Sequence, residues 1–194
     1  MIQHKLLCCL FLLAIAGTVC FSQVKNSKNS PEFHSINQVG LLEGATGSFF
    51  QIQTIGGIEY QKWFAGLGAG LDYYRYRGFP VFVDLRRHFG NSVRSFFIYA
   101  DAGVHFIWVK DQDKKVSYSN QDDRFSNGFY SDAGLGYQLR LKTGPALLFS
   151  AGFSYKKITE TWTIPYYQTA DSKPETQHYD YYLNRLTIKI GFQL

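Results

Sequence analysis

The chain has 194 residues, a formal net charge of +5, an aromatic content of 18% and 18 glycines. All three cysteines, Cys8, Cys9 and Cys20, fall near the N-terminus, so the remainder offers neither a disulfide nor a thiolate metal site. Lys and Arg are spread along the sequence rather than gathered in a run, which excludes the clustered basic footprint of a nucleic-acid-binding protein.

Residues Met1 to Ser22 read as a secretory signal: Lys5 near the start, an apolar stretch from Leu6 to Val19, and small residues Cys20 and Ser22 before Gln23. The apolar run is short for a transmembrane helix, and no stop-transfer pattern follows, so cleavage is expected. Acylation at Cys20 is the rival reading, but Val19 is a poor residue before an acylated cysteine. Cleavage removes the charge of Lys5 and lowers the net charge from +5 to +4. Residues 23–34 are polar, with Asn, Ser and Pro31, and read as a flexible leader. Residues 35–194 form the remaining domain, and without helical periodicity they indicate an all-β class.

Eight strands are expected in chain order: Ser35–Glu43, Ser48–Tyr60, Lys62–Tyr74, Phe79–Phe89, Ser95–Val109, Phe129–Leu141, Ala146–Thr159 and Tyr179–Leu194. The clearest runs from Trp63 to Tyr73: Trp63, Ala65, Leu67, Ala69, Leu71 and Tyr73 share one face, Phe64, Gly66, Gly68, Gly70 and Asp72 the other. The first strand alternates poorly. Most of these segments exceed the five or six residues usual in soluble sheets and reach the roughly nine to eleven that a tilted strand needs to cross hydrocarbon.

Parity assigns an apolar face carrying Phe50, Ile52, Ile58, Val81, Val83, Leu85, Ile98, Val104, Leu186, Ile188, Ile190 and Phe192. At its ends stand two sets of aromatics, Tyr60, Trp63, Phe89 and Phe96 at one end and Tyr73, Phe79, Trp108 and Tyr155 at the other, as in interfacial girdles. The opposite face carries Asp72, Asp84, Arg86, Asp101, His105, Asp132, Arg140, Lys156, Arg185 and Lys189. In a closed barrel these groups must fill the lumen as a paired network, because an interior charge is costly alone. Parity suggests two clusters: Asp132 with Lys156 and Arg185, and Asp84, Arg86, Asp101 with Arg140. Gly66, Gly68, Gly70, Gly103, Gly134, Gly136 and Gly152 would leave room in a narrow interior, where a side chain such as Tyr74 or Tyr99 lies across them.

Connections near Gln61, at Gly90–Arg94 and at Lys142–Pro145 are short, whereas Lys110–Ser126 and Glu160–His178 are long and polar and fall on one end. Tyr118, Trp162, Tyr166 and Tyr167 are the candidate contact residues of these loops. The histidines lack paired ligand spacing, so no metal is expected. His105 with Ser150 or Ser154 and Asp101 could seed a hydrolytic triad, but no elbow motif or oxyanion hole accompanies them.

The segments Trp63–Tyr73 (WFAGLGAGLDY), Phe79–Phe89 (FPVFVDLRRHF), Tyr99–His105 (YADAGVH) and Asn184–Leu194 (NRLTIKIGFQL) resemble those of the small eight-stranded outer-membrane β-barrel family of Gram-negative bacteria, similar in architecture to the OmpX and OmpA membrane domains. The resemblance implies an antiparallel up-and-down transmembrane barrel in the outer membrane, inserted by the barrel-insertion machinery and surrounded by outer-membrane lipids. Family members usually end on an aromatic; this chain ends on Leu194, and Phe192 is the nearest substitute. No cofactor and no nucleic acid is expected. The leading functional expectation is a noncatalytic envelope protein that meets an unknown surface ligand through its long loops. The rivals are a lipid-modifying barrel enzyme and a soluble exported barrel that holds an apolar ligand on an inward apolar face.

Overall fold

Strict two-residue alternation leaves every segment with one face to bury and a ladder of backbone groups to pair. The computed structural model, which describes residues 30–45, 47–73, 77–91, 93–108, 124–142, 144–164 and 175–194, resolves both demands by closing the sheet on itself. Only the backbone is described at 108, 124–125, 162–164 and 175–177. The strands are β1 (Glu32–Gly44), β2 (Gly47–Tyr60), β3 (Trp63–Tyr73), β4 (Arg77–Gly90), β5 (Arg94–Trp108), β6 (Arg124–Ser126), β7 (Gly128–Arg140), β8 (Ala146–Ile164) and β9 (Glu175–Gln193). All pairings are antiparallel. Neighbours in sequence pair in turn, and β9 pairs with both β8 and β1, so β1–β5 and β7–β9 make a closed eight-stranded barrel. Residues Pro31–Leu194 constitute one compact unit. The signal and most of the expected leader lie outside the described residues, as does Tyr74.

Three features depart from the sequence reading. Residues 32–34, read as the end of a flexible leader, open β1 and pair with Gly57–Glu59 of β2. Residues 124–126, read as loop, form β6 and pair with Thr159–Thr161 of β8. Both ends of the expected loop Glu160–His178 are strand, since β8 continues to Ile164 and β9 begins at Glu175, in register from Ala146↔Gln193 to Ile164↔Glu175, and residues 165–174 lie outside the described residues. The polar composition of these ends hid them: above a bilayer both faces of a hairpin are wet, so the alternation that marks a strand is lost.

The apolar face turns outward. Phe50 is 73% exposed and Leu67 70%, and Leu186, Ile188 and Phe192 lie on the same outer surface. This reverses what the soluble ligand-binding rival requires, an inward apolar face. The lumen is not uniformly polar either: Ile36, Ile55, Phe64, Phe82, Phe97, Tyr99, Tyr130 and Leu148 pack inside it as one apolar cluster. Their rings lie over small residues. Phe82 covers Gly68, Phe97 covers Gly136, and the Tyr99 hydroxyl reaches over Gly152. A barrel of eight strands is only wide enough for side chains, so each large ring inside needs a facing position without a Cβ.

Short turns close the lower end. Gln61 sits at φ 56 in the two-residue link between β2 and β3, and Gly144 takes φ 116 before β8, a conformation that disfavours any side chain.

A Cβ at Gly136 would stand within van der Waals overlap of the Phe97 ring. Gly136→Val is therefore expected to destabilise the barrel by about 1–3 kcal/mol through overpacking. Ala133→Val, on the outward face of the same strand, should leave the urea unfolding midpoint in micelles close to that of the parent.

Candidate functional site

The polar residues of the sequence reading are carried by alternate positions of β3, β4, β5, β7, β8 and β9, and pairing brings them together inside the barrel. Asp84, Asp101 and Asp132 stand side by side on β4, β5 and β7, because the register matches Asp84 to Asp101 and Asp101 to Asp132. Three adjacent carboxylates repel one another unless cations intervene. Arg86 supplies one: its Nε lies 2.9 and 3.0 Å from the two Asp84 oxygens and its Nη2 2.8 Å from Oδ2. The same guanidinium is packed among the rings of Phe64, Phe97 and Tyr99, at 5.9, 5.4 and 5.9 Å from their centroids. Lys189 supplies the other. It donates to Asp132 Oδ2 at 2.9 Å, lies 3.8 Å from Asp101 and stands 4.3 Å above the Tyr99 ring centroid. The Tyr99 hydroxyl donates to Asp132 Oδ1 at 2.9 Å.

Nearer the upper end, Lys156 donates to Asp72 across the lumen. His105 Nε2 lies 4.0 Å from the other oxygen of Asp72 and is packed against Gly78. Below them the Gln38 amide donates to Gln53 at 2.6 Å, and the Gln53 amide to the Tyr130 hydroxyl at 3.0 Å. Arg185 donates to the Gly47 carbonyl at 2.5 Å and lies over the Phe49 ring. Arg140 is half-buried at the end of β7.

The pairing differs from that suggested by parity. Asp132 takes Lys189, not Lys156 and Arg185, because β8 and β9 are tilted and staggered against β7 and carry Lys189 to the level of Asp132. Lys156 pairs instead with Asp72 of β3, on the far wall, a partner that strand adjacency does not reveal.

A chain of hydrogen bonds near the short turns was not foreseen. His88 Nδ1 lies 3.4 Å from Ser95 Oγ, Ser95 donates to Gln138 at 3.1 Å, Gln138 to Gln193 at 3.1 Å, and Gln193 to Glu59 at 2.8 Å. It links β4, β5, β7, β9 and β2. His34 joins it, with Nε2 3.4 Å from Glu59 and Nδ1 donating to the Leu194 carbonyl at 3.1 Å. The signal was present in parity, since Ser95, Gln138 and Gln193 all fall on the lumen face.

The geometry does not assemble the triad considered from sequence. Ser154 donates to the Ser131 carbonyl and stands in register between Asp132 and Arg185, whereas His105 faces Asp72. Among the described residues no group of three His, Cys, Asp or Glu side chains could hold a metal ion.

On the outer wall, Tyr60, Trp63, Phe89 and Phe96 are exposed near the short turns, and Tyr73 and Phe79 near the opposite end. Tyr155 is half-buried in a row of rings, 6.4 Å from Phe129 and 6.4 Å from Tyr182. The side chain of Trp108 lies outside the described residues. So do those of Tyr118, Trp162, Tyr166 and Tyr167, although the backbone places Trp162 in β8, opposite Gln177. An apolar groove on this wall is lined by Val39, Leu41, Leu135, Phe149, Ile188 and Ile190. Above the rings Lys157 pairs with Asp180 at 2.8 Å. Hydrogen bonding from Lys157 and Thr159 lowers the Asp180 carboxyl, and the bond to Asp180 raises Lys157.

With Lys189 flanked by two carboxylates, Lys189→Met is expected to destabilise the barrel by about 3–5 kcal/mol, the cost of leaving buried carboxylates without their cation. Adding Asp132→Asn should restore part of that loss in urea unfolding of the refolded protein.

No protein-family model and no curated protein matches the sequence. Among solved structures the chain is similar to outer membrane protein AlkL, determined by solid-state NMR in DMPC bilayers, at 12% identity, over 89% of this chain and 93% of that one, with a TM-score of 0.50. A de novo designed transmembrane β-barrel also aligns, at 12% identity over 82% of this chain and 92% of the design, with a TM-score of 0.38. The closed antiparallel ring, the apolar outer wall and this likeness give the chain the fold of the small eight-stranded outer-membrane β-barrels.

Proposed function

We propose that the chain is an integral outer-membrane barrel without a catalytic role, which presents the upper part of β8 and β9 as a surface for contact outside the cell. The observation that carries this reading is the filled lumen. Arg86, Lys156 and Lys189, each at most 3% exposed, are held by carboxylates inside a ring of apolar side chains. Such an interior braces the wall and leaves no room for a solute. An apolar outer wall bounded by aromatics supports placement in a bilayer, with outer-membrane lipids as its neighbours and the barrel-insertion machinery as its partner during assembly.

The signal-like N-terminus and the concentration of short turns at one end support an orientation with those turns toward the periplasm. The extended strands β8 and β9, with β6, then rise on the outer side, where their upper ends would meet a ligand. Strand ends with polar side chains on both faces suit contact with an aqueous partner.

Protein recovered from an outer-membrane fraction is expected to run at a different gel position before and after boiling in detergent, and to give no stepwise conductance of porin size in a planar bilayer. Large discrete steps would show an open lumen and defeat this reading. For the lipid-modifying alternative, His105→Ala should leave the lipid species of the envelope unchanged; a lost or altered species would instead make that histidine part of an enzyme.

A further inference from the structure

Two consecutive arginines in β4 have opposite fates. Arg86 points into the lumen and is matched by Asp84, whereas Arg87 points outward between Leu85 and Phe89 on the lipid-facing wall. The guanidinium carbon of Arg87 lies 5.0 Å from the ring centroid of Trp63, its partner across β3, and 5.2 Å from that of Phe89, two residues along its own strand. Among the described residues no carboxylate pairs with it. Tyr60, opposite Trp63 in register, stands on the same face.

A cation on an apolar wall is costly unless it reaches the headgroup level and finds an anion there. The Arg87 side chain is positioned for this, since Trp63, Phe89 and Tyr60 mark the aromatic belt at this end. Two flanking rings attract the guanidinium, and the exposed side chain keeps N–H donors for an anion. A guanidinium's forked donors match the oxygens of a phosphodiester. We propose that Trp63, Arg87 and Phe89 form a binding site for the phosphate of an anionic phospholipid in the leaflet next to the short turns. The site rests on the bilayer placement proposed above. It does not depend on which end faces the periplasm when both leaflets of a vesicle hold the same lipids.

Trp63 is its own reporter. With Trp108→Phe and Trp162→Phe in the full chain, it is the one remaining tryptophan. Quenching of its fluorescence by brominated phosphatidylglycerol and by brominated phosphatidylcholine, each in mixed vesicles, gives the local preference between the two lipids. The expected preference for phosphatidylglycerol is about fivefold. It should fall to about one in Arg87→Gln and persist in Arg94→Gln, which removes an exposed charge at the same end. Equal quenching by both lipids with Arg87 intact would overturn the site and leave the barrel standing, as would a preference that survives Arg87→Gln or is lost equally in Arg94→Gln. No quenching by either lipid would remove the bilayer placement and the site together.

Discussion

The pairing of the first strand with the last is the constraint on which the rest depends. Within hydrocarbon a backbone N–H or C=O without a partner costs several kcal/mol, so a sheet can cross a bilayer only when it has no edge. Here β1 and β9 meet from Ile36↔Gln193 to Glu43↔Leu186, and further bonds between Ser35 and Leu194 extend the seam to the end of the chain. Closure at eight strands also sets the bore. Everything inside follows from that small diameter: rings must lie over glycines, and charges must be paired, because the side chains themselves fill the bore.

The interior solves its charge problem in layers. Near the short turns a chain of neutral amides and hydroxyls runs from His88 to Glu59. The middle holds the dense ionic layer of Asp84, Asp101, Asp132, Arg86 and Lys189, with rings against the cations. Above it Lys156 and Asp72 tie opposite walls. Because Lys156 and Asp72 sit on strands opposite each other around the ring, their bond resists ovalisation of the barrel as well as satisfying a charge. Removal of Asp72 is therefore felt across the whole section, not only at its own strand.

Much of this was legible in the sequence, for a physical reason. Lipid outside and side chains inside impose opposite chemistries on successive residues, so Trp63–Tyr73 and Phe79–Phe89 declare both strand and face. β1 was harder to read because Ile36 and Leu42 occupy lumen positions beside Gln38, and a lumen that accepts apolar groups blurs the alternation. The partners of Asp132 and Lys156 were not readable, since tilt and stagger decide which residues reach the same height, and these are properties of the closed ring. The upper parts of β8 and β9 escaped notice because, with no lipid on one side, nothing there forces the two faces to differ.

Those upper parts give the rim a direction. β1 and β2 turn back at Gly44 and Gly47, and β3 ends at Tyr73, whereas β8 and β9 continue in register for eight residues or more past the last pairs that either makes with β7 or β1. Among the described residues this end is thus low on one flank and raised on the other. Over the stretch Glu175–Arg185 the outer edge of β9 has no strand beside it among the described residues. Among the described residues a molecule approaching along the membrane would meet a step from one side and an unpaired stretch of β9 from the other, so lateral encounters with the barrel are not equivalent around its circumference.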